Sequence, residues 1–123
     1  MILNIPGTPP SLNTWSRMHW AKAAEIKKQW ERDIFYLSHQ QRYDNRGELP
    51  LRKAIIKITY YFATNRRRDA DNMNLKFILD GVVKAGIIKD DSTSVIGQVE
   101  TSWGVDKNNP RVEIEIEGRK QDG

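Results

Sequence analysis

Lys53-Ala54-Ile55-Ile56-Lys57-Ile58-Thr59-Tyr60-Tyr61-Phe62-Ala63 is the stretch from which the fold of this chain is read. Ile56, Ile58, Tyr60 and Phe62 fall on one face, and Lys57 and Thr59 on the other. That is the period-two pattern of a half-buried β-strand. The strand delivers the chain into Arg66-Arg67-Arg68-Asp69-Ala70-Asp71-Asn72. The period then becomes helical from roughly Asn72 to Lys84, with Leu75, Ile78, Leu79, Val82 and Val83 on the buried side. Asp69 or Asp71 can act as the helix N-cap and Gly86 as its C-cap.

Toward the N-terminus, Leu3 to Ile5 reads as a short strand. Gly7-Thr8-Pro9-Pro10-Ser11-Leu12-Asn13 reads as a loop, because two prolines and a glycine interrupt regular structure. From His19 to about His39, Trp20, Ala23, Ile26, Trp30, Ile34 and Leu37 recur at three- and four-residue steps. They make one apolar stripe, and Lys22, Lys27, Lys28 and Arg32 lie mostly off it. Arg42 to Pro50 is expected to be a mobile polar loop. Toward the C-terminus, Val95–Trp103 and Pro110–Glu117 are expected to pair as a hairpin through residues 104–109. Val112, Ile114 and Ile116 then face inward. Glu113, Glu115 and Glu117 form an acidic face turned to solvent and away from any phosphate backbone. The order β-α-β-α-β-β predicts an α+β fold: one mixed sheet with two helices packed on it. Residues 1–117 are expected to form a single domain, and residues 118–123 a frayed tail.

The chain has 123 residues, enough for one domain with a real core. Its 29% charged and 38% hydrophobic residues are ordinary for a globular protein. The absence of cysteine removes disulfides, thiolate zinc sites and cysteine nucleophiles, and two histidines give little scope for an imidazole site. No apolar run reaches the roughly 18 residues of a membrane span. The N-terminal residues lack a signal-peptide pattern, so a cytoplasmic protein is expected. The charge is uneven. Residues 1–89 carry 16 Lys/Arg against 8 Asp/Glu, and residues 90–123 carry 4 against 8. A basic patch around the arginine run and first helix suits a nucleic-acid partner, although a solubility bias would look the same.

Three arginines running into Asp69-x-Asp71 carry the chemistry. Arginine binds phosphate oxygens bidentately. Two close carboxylates repel unless a cation sits between them, and Mg²⁺ takes one or two carboxylates plus substrate phosphate oxygens. The bland alternative is that both aspartates are plain caps. A calcium loop starting at Asp69 fails, because its fifth and sixth positions are Met73 and Asn74. The Asp-x-Asp of glycosyltransferases would need a sugar-recognising region that a chain this small does not show. Asp90-Asp91 reads alone as a turn, but closes the same site if the strand entering at Ser94 runs back beside residues 53–63. Lys76 can stabilise a charged transition state, or merely pair with Asp80 at i,i+4. Trp15, with Asn13 and Arg17 in its segment, is the best candidate for nucleic-acid contact, since Trp20 and Trp30 fall on the core stripe. His19 has no evident metal partner and reads as a surface or capping residue.

The chain resembles the RusA-type Holliday-junction resolvases of bacteria and phages. Pro9-Pro10-Ser11-Leu12-Asn13 matches a Pro-Pro-Ser-x-Asn segment. Arg68-Asp69-Ala70-Asp71-Asn72 matches a basic residue followed by Asp-x-Asp-Asn. Leu79-Asp80-Gly81-Val82 and Gly86-Ile87-Ile88-Lys89-Asp90-Asp91 match the family's closing steps. The resemblance implies a homodimeric, Mg²⁺-dependent crossover junction endodeoxyribonuclease acting in DNA recombination and repair, with Mn²⁺ able to substitute. It implies Asp69, Asp71 and Asp91 as metal-binding catalytic carboxylates, with Asp90 beside them. DNA contacts are expected from Arg66, Arg67, Arg68, Asn72, Asn13, Trp15 and Arg17. The family's lysine follows its second aspartate by four residues, whereas Lys76 follows Asp71 by five. One residue turns a helical side chain by about 100°, so Lys76 keeps that role only if the first helical turn is loosened. The alternative reading is a non-catalytic DNA- or RNA-binding module whose aspartates only cap the helix. A third is a metal-dependent phosphotransferase acting on small nucleotides.

Overall fold

The structure is a computed structural model and describes residues 1–42 and 49–119. The elements in chain order are β1 (Ile2–Pro6), α1 (Leu12–Arg17), α2 (Trp20–Arg42), β2 (Ala54–Phe62), a single 3₁₀ turn (Ala70–Asn72), α3 (Leu75–Lys84), β3 (Ile96–Val105) and β4 (Arg111–Gly118). The four strands form one mixed sheet in the order β1-β4-β2-β3. This is the expected α+β architecture with one addition, the short helix α1. It forms where a loop was expected, because Ser11 caps it by accepting from the Thr14 N–H at 3.2 Å. Of the expected loop Arg42–Pro50, Arg42 ends α2 and residues 43–48 lie outside the described residues.

β2 is central. It pairs with β4 antiparallel, Ile58 opposite Ile114. On its other side it pairs with β3 in parallel, Ile56 opposite Val99 and Phe62 opposite Val105. The expected β3–β4 hairpin is therefore not formed, since β2 lies between its two strands. The segment β2–α3–β3 is instead a parallel crossover, with α3 returning the chain from one end of the sheet to the other. The strand at the C-terminus includes Gly118, and the Arg119 N–H donates to Lys53 O at 2.9 Å. Of the expected tail, residues 120–123 lie outside the described ones.

One face of the sheet is covered. Leu3, Ile5, Ile56, Ile58, Tyr60, Val112, Ile114 and Ile116 pack there against Trp30, Ile34, Phe77, Ile78 and Val82 of the helices. On α2 the buried line is Trp30, Ile34 and Ser38, at four-residue steps. Trp20, expected on that stripe, is 77% exposed. The helix begins there, beyond the edge of the core. Gly81 lets α2 and α3 approach closely: a Cβ at this position would lie 2.5 Å from Ile34 Cδ1. Lys27–Asp80 at 2.8 Å and Lys84–Glu31 at 3.0 Å tie the same two helices at their solvent edge. The opposite face of the sheet carries Lys57, Thr59, Glu113, Glu115 and Glu117, and none of them is buried.

Candidate active site

The chain leaves the C-terminal end of β2 at Phe62 and turns back into α3 through residues 63–74. Arg68 organises this turn. Its guanidinium donates to Thr64 O at 2.9 Å, Arg66 O at 3.0 Å and Thr64 Oγ1 at 3.0 Å, and lies 3.9 Å from the centre of the Phe62 ring. Burial, and then the charge of Arg66, pull its pKa below the ordinary guanidinium value. Arg68 is thus a brace for its own loop. Arg66 and Arg67 are exposed, and the contact of Arg67 with Asp69, at 3.7 Å, is loose and solvated.

Neither aspartate of Asp69-Ala70-Asp71 caps α3. Asp69 stands at the start of the 3₁₀ turn in extended conformation and makes no side-chain cap hydrogen bond. Asp71 is exposed. The cap is Asn74, which sequence reasoning missed. Its Oδ1 accepts from the Phe77 N–H at 3.3 Å. Its Nδ2 donates to Pro10 O at 3.0 Å, and its own carbonyl accepts from the Tyr60 hydroxyl at 3.3 Å. Asn72 adds a second tie, its Oδ1 accepting from the Asn13 N–H at 2.9 Å. The expected helix start at Asn72 is therefore displaced to Leu75, with Met73 in extended backbone between turn and helix. The Asn-rich run Asn72-Met73-Asn74 carried the available signal, since asparagine competes well for N-caps.

The Pro-Pro-Ser segment and the Asp-x-Asp turn, 60 residues apart in sequence, are brought together by these Asn72 and Asn74 bonds. Between them lies a cleft of about 570 Å³, lined by Thr8, Ser11, Phe62, Arg66, Arg68 and Asp69 among others. Trp15 does not line this cleft; its ring is set edge-on to Phe77 at 5.0 Å. The expected base-stacking tryptophan is therefore half-buried in packing. Its Nε1 is buried without a partner among the described residues. Asn13 and Arg17 are exposed on α1.

Lys76 is half-exposed in the first turn of α3, 3.7 Å from Asp80. Partial burial opposes ionisation of Asp80, but the Lys27 hydrogen bond and charge, assisted by Lys76, hold its pKa below the usual value. Met73 and Asn74, between Asp71 and Lys76, are non-helical, so those two side chains are not related by helical spacing.

Asp90 and Asp91 are not brought to this turn within one chain. Leu51 bridges Ile88 in parallel, and the Lys89 N–H donates to Leu51 O at 2.9 Å. The Val95 and Ile96 N–H groups donate to Ser92 O at 3.0 and 2.9 Å. Those contacts fix residues 88–96 at the N-terminal end of β2. Nine strand residues, about 25 Å of extended chain, separate that end from Asp69 and Asp71. β3 does run beside β2, but in parallel, so its start lies at the wrong end. Asp90 caps its own turn, accepting from the Ser92 N–H at 2.8 Å. The Ser92 bonds hold its carboxyl below the ordinary pKa. Asp91 is exposed. Among the described residues, no group of three or more His, Cys, Asp or Glu side chains converges as a metal site.

The Asp69–Asp71 pair suits a hard divalent ion. Both groups are carboxylates, neither is engaged in capping α3, and arginines stand beside them for a phosphate. Mg²⁺ completes its octahedron with waters and substrate oxygens rather than with an all-protein cage. No described helix is long and apolar enough to cross a membrane. A protein-family model described as endodeoxyribonuclease RusA matches residues 6–117. No curated protein matches the chain significantly.

Proposed function

The chain belongs to the RusA endodeoxyribonuclease family, whose activity is Holliday-junction resolution, and from that premise we propose that it is a Mg²⁺-dependent nuclease nicking opposed strands of four-way DNA junctions. In this reading it serves recombination and repair in the cytoplasm. Asp69 and Asp71, in the turn that follows β2, would hold the ion, and its chemistry when bound would be Lewis-acid polarisation of the phosphate and acidification of a water. Arg66 and Arg67 grip the phosphates on either side of the cut. Arg17 adds charge along the same surface, with Asn13 and Trp15 beside it. The Lys76 ammonium neutralises charge gathering on the phosphate. The observation that carries this reading is that neither carboxylate caps α3, because Asn74 does. The alternative of a binding module with capping aspartates thereby loses its premise.

A homodimer completes the site. β3 is an edge strand, and Trp103 and Val105 on its helix-side face are 55% and 50% exposed. An exposed edge of this length is a template for pairing with another strand. Two copies joined antiparallel across β3 about Thr101 set each Trp103 opposite Val99 of the partner subunit and each Glu100 opposite Ser102 of the partner subunit. The same two-fold sets the C-terminal end of one β3 beside the N-terminal end of the other. Asp91 of the partner subunit then comes to the end of the sheet that bears Asp69 and Asp71, with Asp90 as its neighbour.

Mixing two inactive variants tests both claims. If the carboxylates act across the interface, Asp71→Asn and Asp91→Asn chains mixed and re-equilibrated regain Mg²⁺-dependent nicking at one site per dimer. Continued inactivity of the mixture, with heterodimers demonstrated, would defeat the shared site.

A further inference from the structure

The cleft beside the Asp69 turn holds a feature that phosphate binding does not use. Arg68 sits over Phe62, its guanidinium carbon 3.9 Å from the ring centre. Three of its N–H groups are held by Thr64 and by the Arg66 carbonyl, of the five that a guanidinium offers. The plane is thus locked before any ligand arrives. Arg68 and Phe62 both line the cleft, so a flat group entering it meets this pair. Nucleobases stack on guanidinium planes as they do on aromatic rings.

The volume of about 570 Å³ lies inside the range of small-ligand pockets, roughly 300–1,000 Å³, and exceeds what one base requires. Thr8 and Ser11 also line the cleft and offer hydroxyl oxygens to the edge of such a group. A base inside a duplex has both faces covered by its neighbours, so a base must leave its stack to present a face to Arg68. We infer that this cleft takes one unpaired nucleobase of bound DNA, stacked on the Arg68–Phe62 pair. The DNA is supplied by the nuclease reading given above, and the cleft would select junctions whose strands open beside the cut. Arg66 and Arg67 then hold phosphate while Arg68 holds the base.

The test is a binding measurement on the full chain with EDTA present, so that it does not depend on cleavage. Fluorescence anisotropy compares an eight-nucleotide abasic strand with the same strand carrying one central adenine. The expected gain from that base is about tenfold in affinity, the scale of stacking one base. Arg68→Lys keeps the charge and removes the plane, so the ratio of affinities for the two strands should fall to near one, whatever the loosened turn does to both. Phe62→Leu, which keeps an apolar side chain but removes the ring under the guanidinium, should also reduce the gain. Equal affinity of the unaltered protein for both strands would overturn the inference, as would Arg68→Lys retaining the tenfold gain. Adenosine monophosphate competing as well as the adenine-bearing strand would overturn its assignment to DNA. Nicking of four-way junctions in Mg²⁺ is scored separately on the same preparations. A base-dependent gain with no nicking defeats the nuclease reading alone, and nicking with no gain defeats the cleft alone.

Discussion

Asn74 joins three segments at one buried point: the Pro10 loop, the end of β2 through the Tyr60 hydroxyl, and the first turn of α3. Asn74→Ala removes the cap and the Pro10 tie, leaving Pro10 O and the Phe77 N–H without these partners. A loss of about 2 kcal/mol is expected in denaturant unfolding, with a larger proportional loss of junction cleavage because the Asp71–Lys76 spacing relaxes. Unaltered cleavage in a destabilised Asn74→Ala protein would show that the tie serves folding alone. Tyr60 offers a pH test. Burial pushes its pKa up to about 12 from an ordinary value of 10. The folded state therefore keeps the proton after the unfolded chain has lost it. Stability from this group is complete below pH 10 and falls as the pH rises toward 12. Thermal melts between pH 9 and 12 should fall more steeply for the unaltered protein than for Tyr60→Phe, and parallel slopes would contradict the assignment. At this scale the sequence was partly legible. The charge of Arg66 through Asp71 was plain, but the division of labour between Arg68 and its neighbours was not. Which arginine braces a loop depends on Thr64 and Phe62 coming within reach, and only the folded turn brings them there.

β2 and α3 were legible as elements because their apolar periods are clean and each buries one face. Partner choice was not. β3 and β4 both alternate and are joined by a short loop, so local pattern favours a hairpin. β2 separates them because its own apolar face continues the core between Val112–Ile116 and Val99. α1 was missed because Pro9 and Pro10 mask a helix that starts only after them, and Trp20 was misread because a periodic stripe does not say where the core ends. The edge strand yields a prediction of its own. Trp103→Lys places like charges near the proposed two-fold axis and removes apolar contact from the pairing strand. Sedimentation should show a monomer at concentrations where the unaltered chain is a dimer, with the fold intact by circular dichroism. A variant dimer of undiminished affinity would move the interface elsewhere.

Taken as a molecule, the chain has a polarity of charge that matches its task. The basic excess lies in residues 1–89, and Glu113, Glu115 and Glu117 lie on the sheet face opposite the helices. DNA is therefore expected at the Arg66–Asp71 end and off the acidic face. Removing Arg66 and Arg67 together should weaken binding and reduce the slope of log affinity against log salt by about two, one counterion for each lost phosphate contact. An unchanged slope would show that these arginines do not hold the backbone. The central claim is that Asp69 and Asp71 serve metal-dependent cleavage and not folding, and Asp71→Asn isolates it, since the amide keeps the size of the side chain and removes its charge. The direct measurement is nicking of a labelled four-way junction with and without Mg²⁺ by the unaltered protein and by Asp71→Asn. Paired nicks that require Mg²⁺ are expected from the first. From the second, a rate lower by about two orders of magnitude is expected, with junction binding retained or tightened. Nicking by Asp71→Asn at the unaltered rate, or cleavage that needs no divalent ion, would contradict the account.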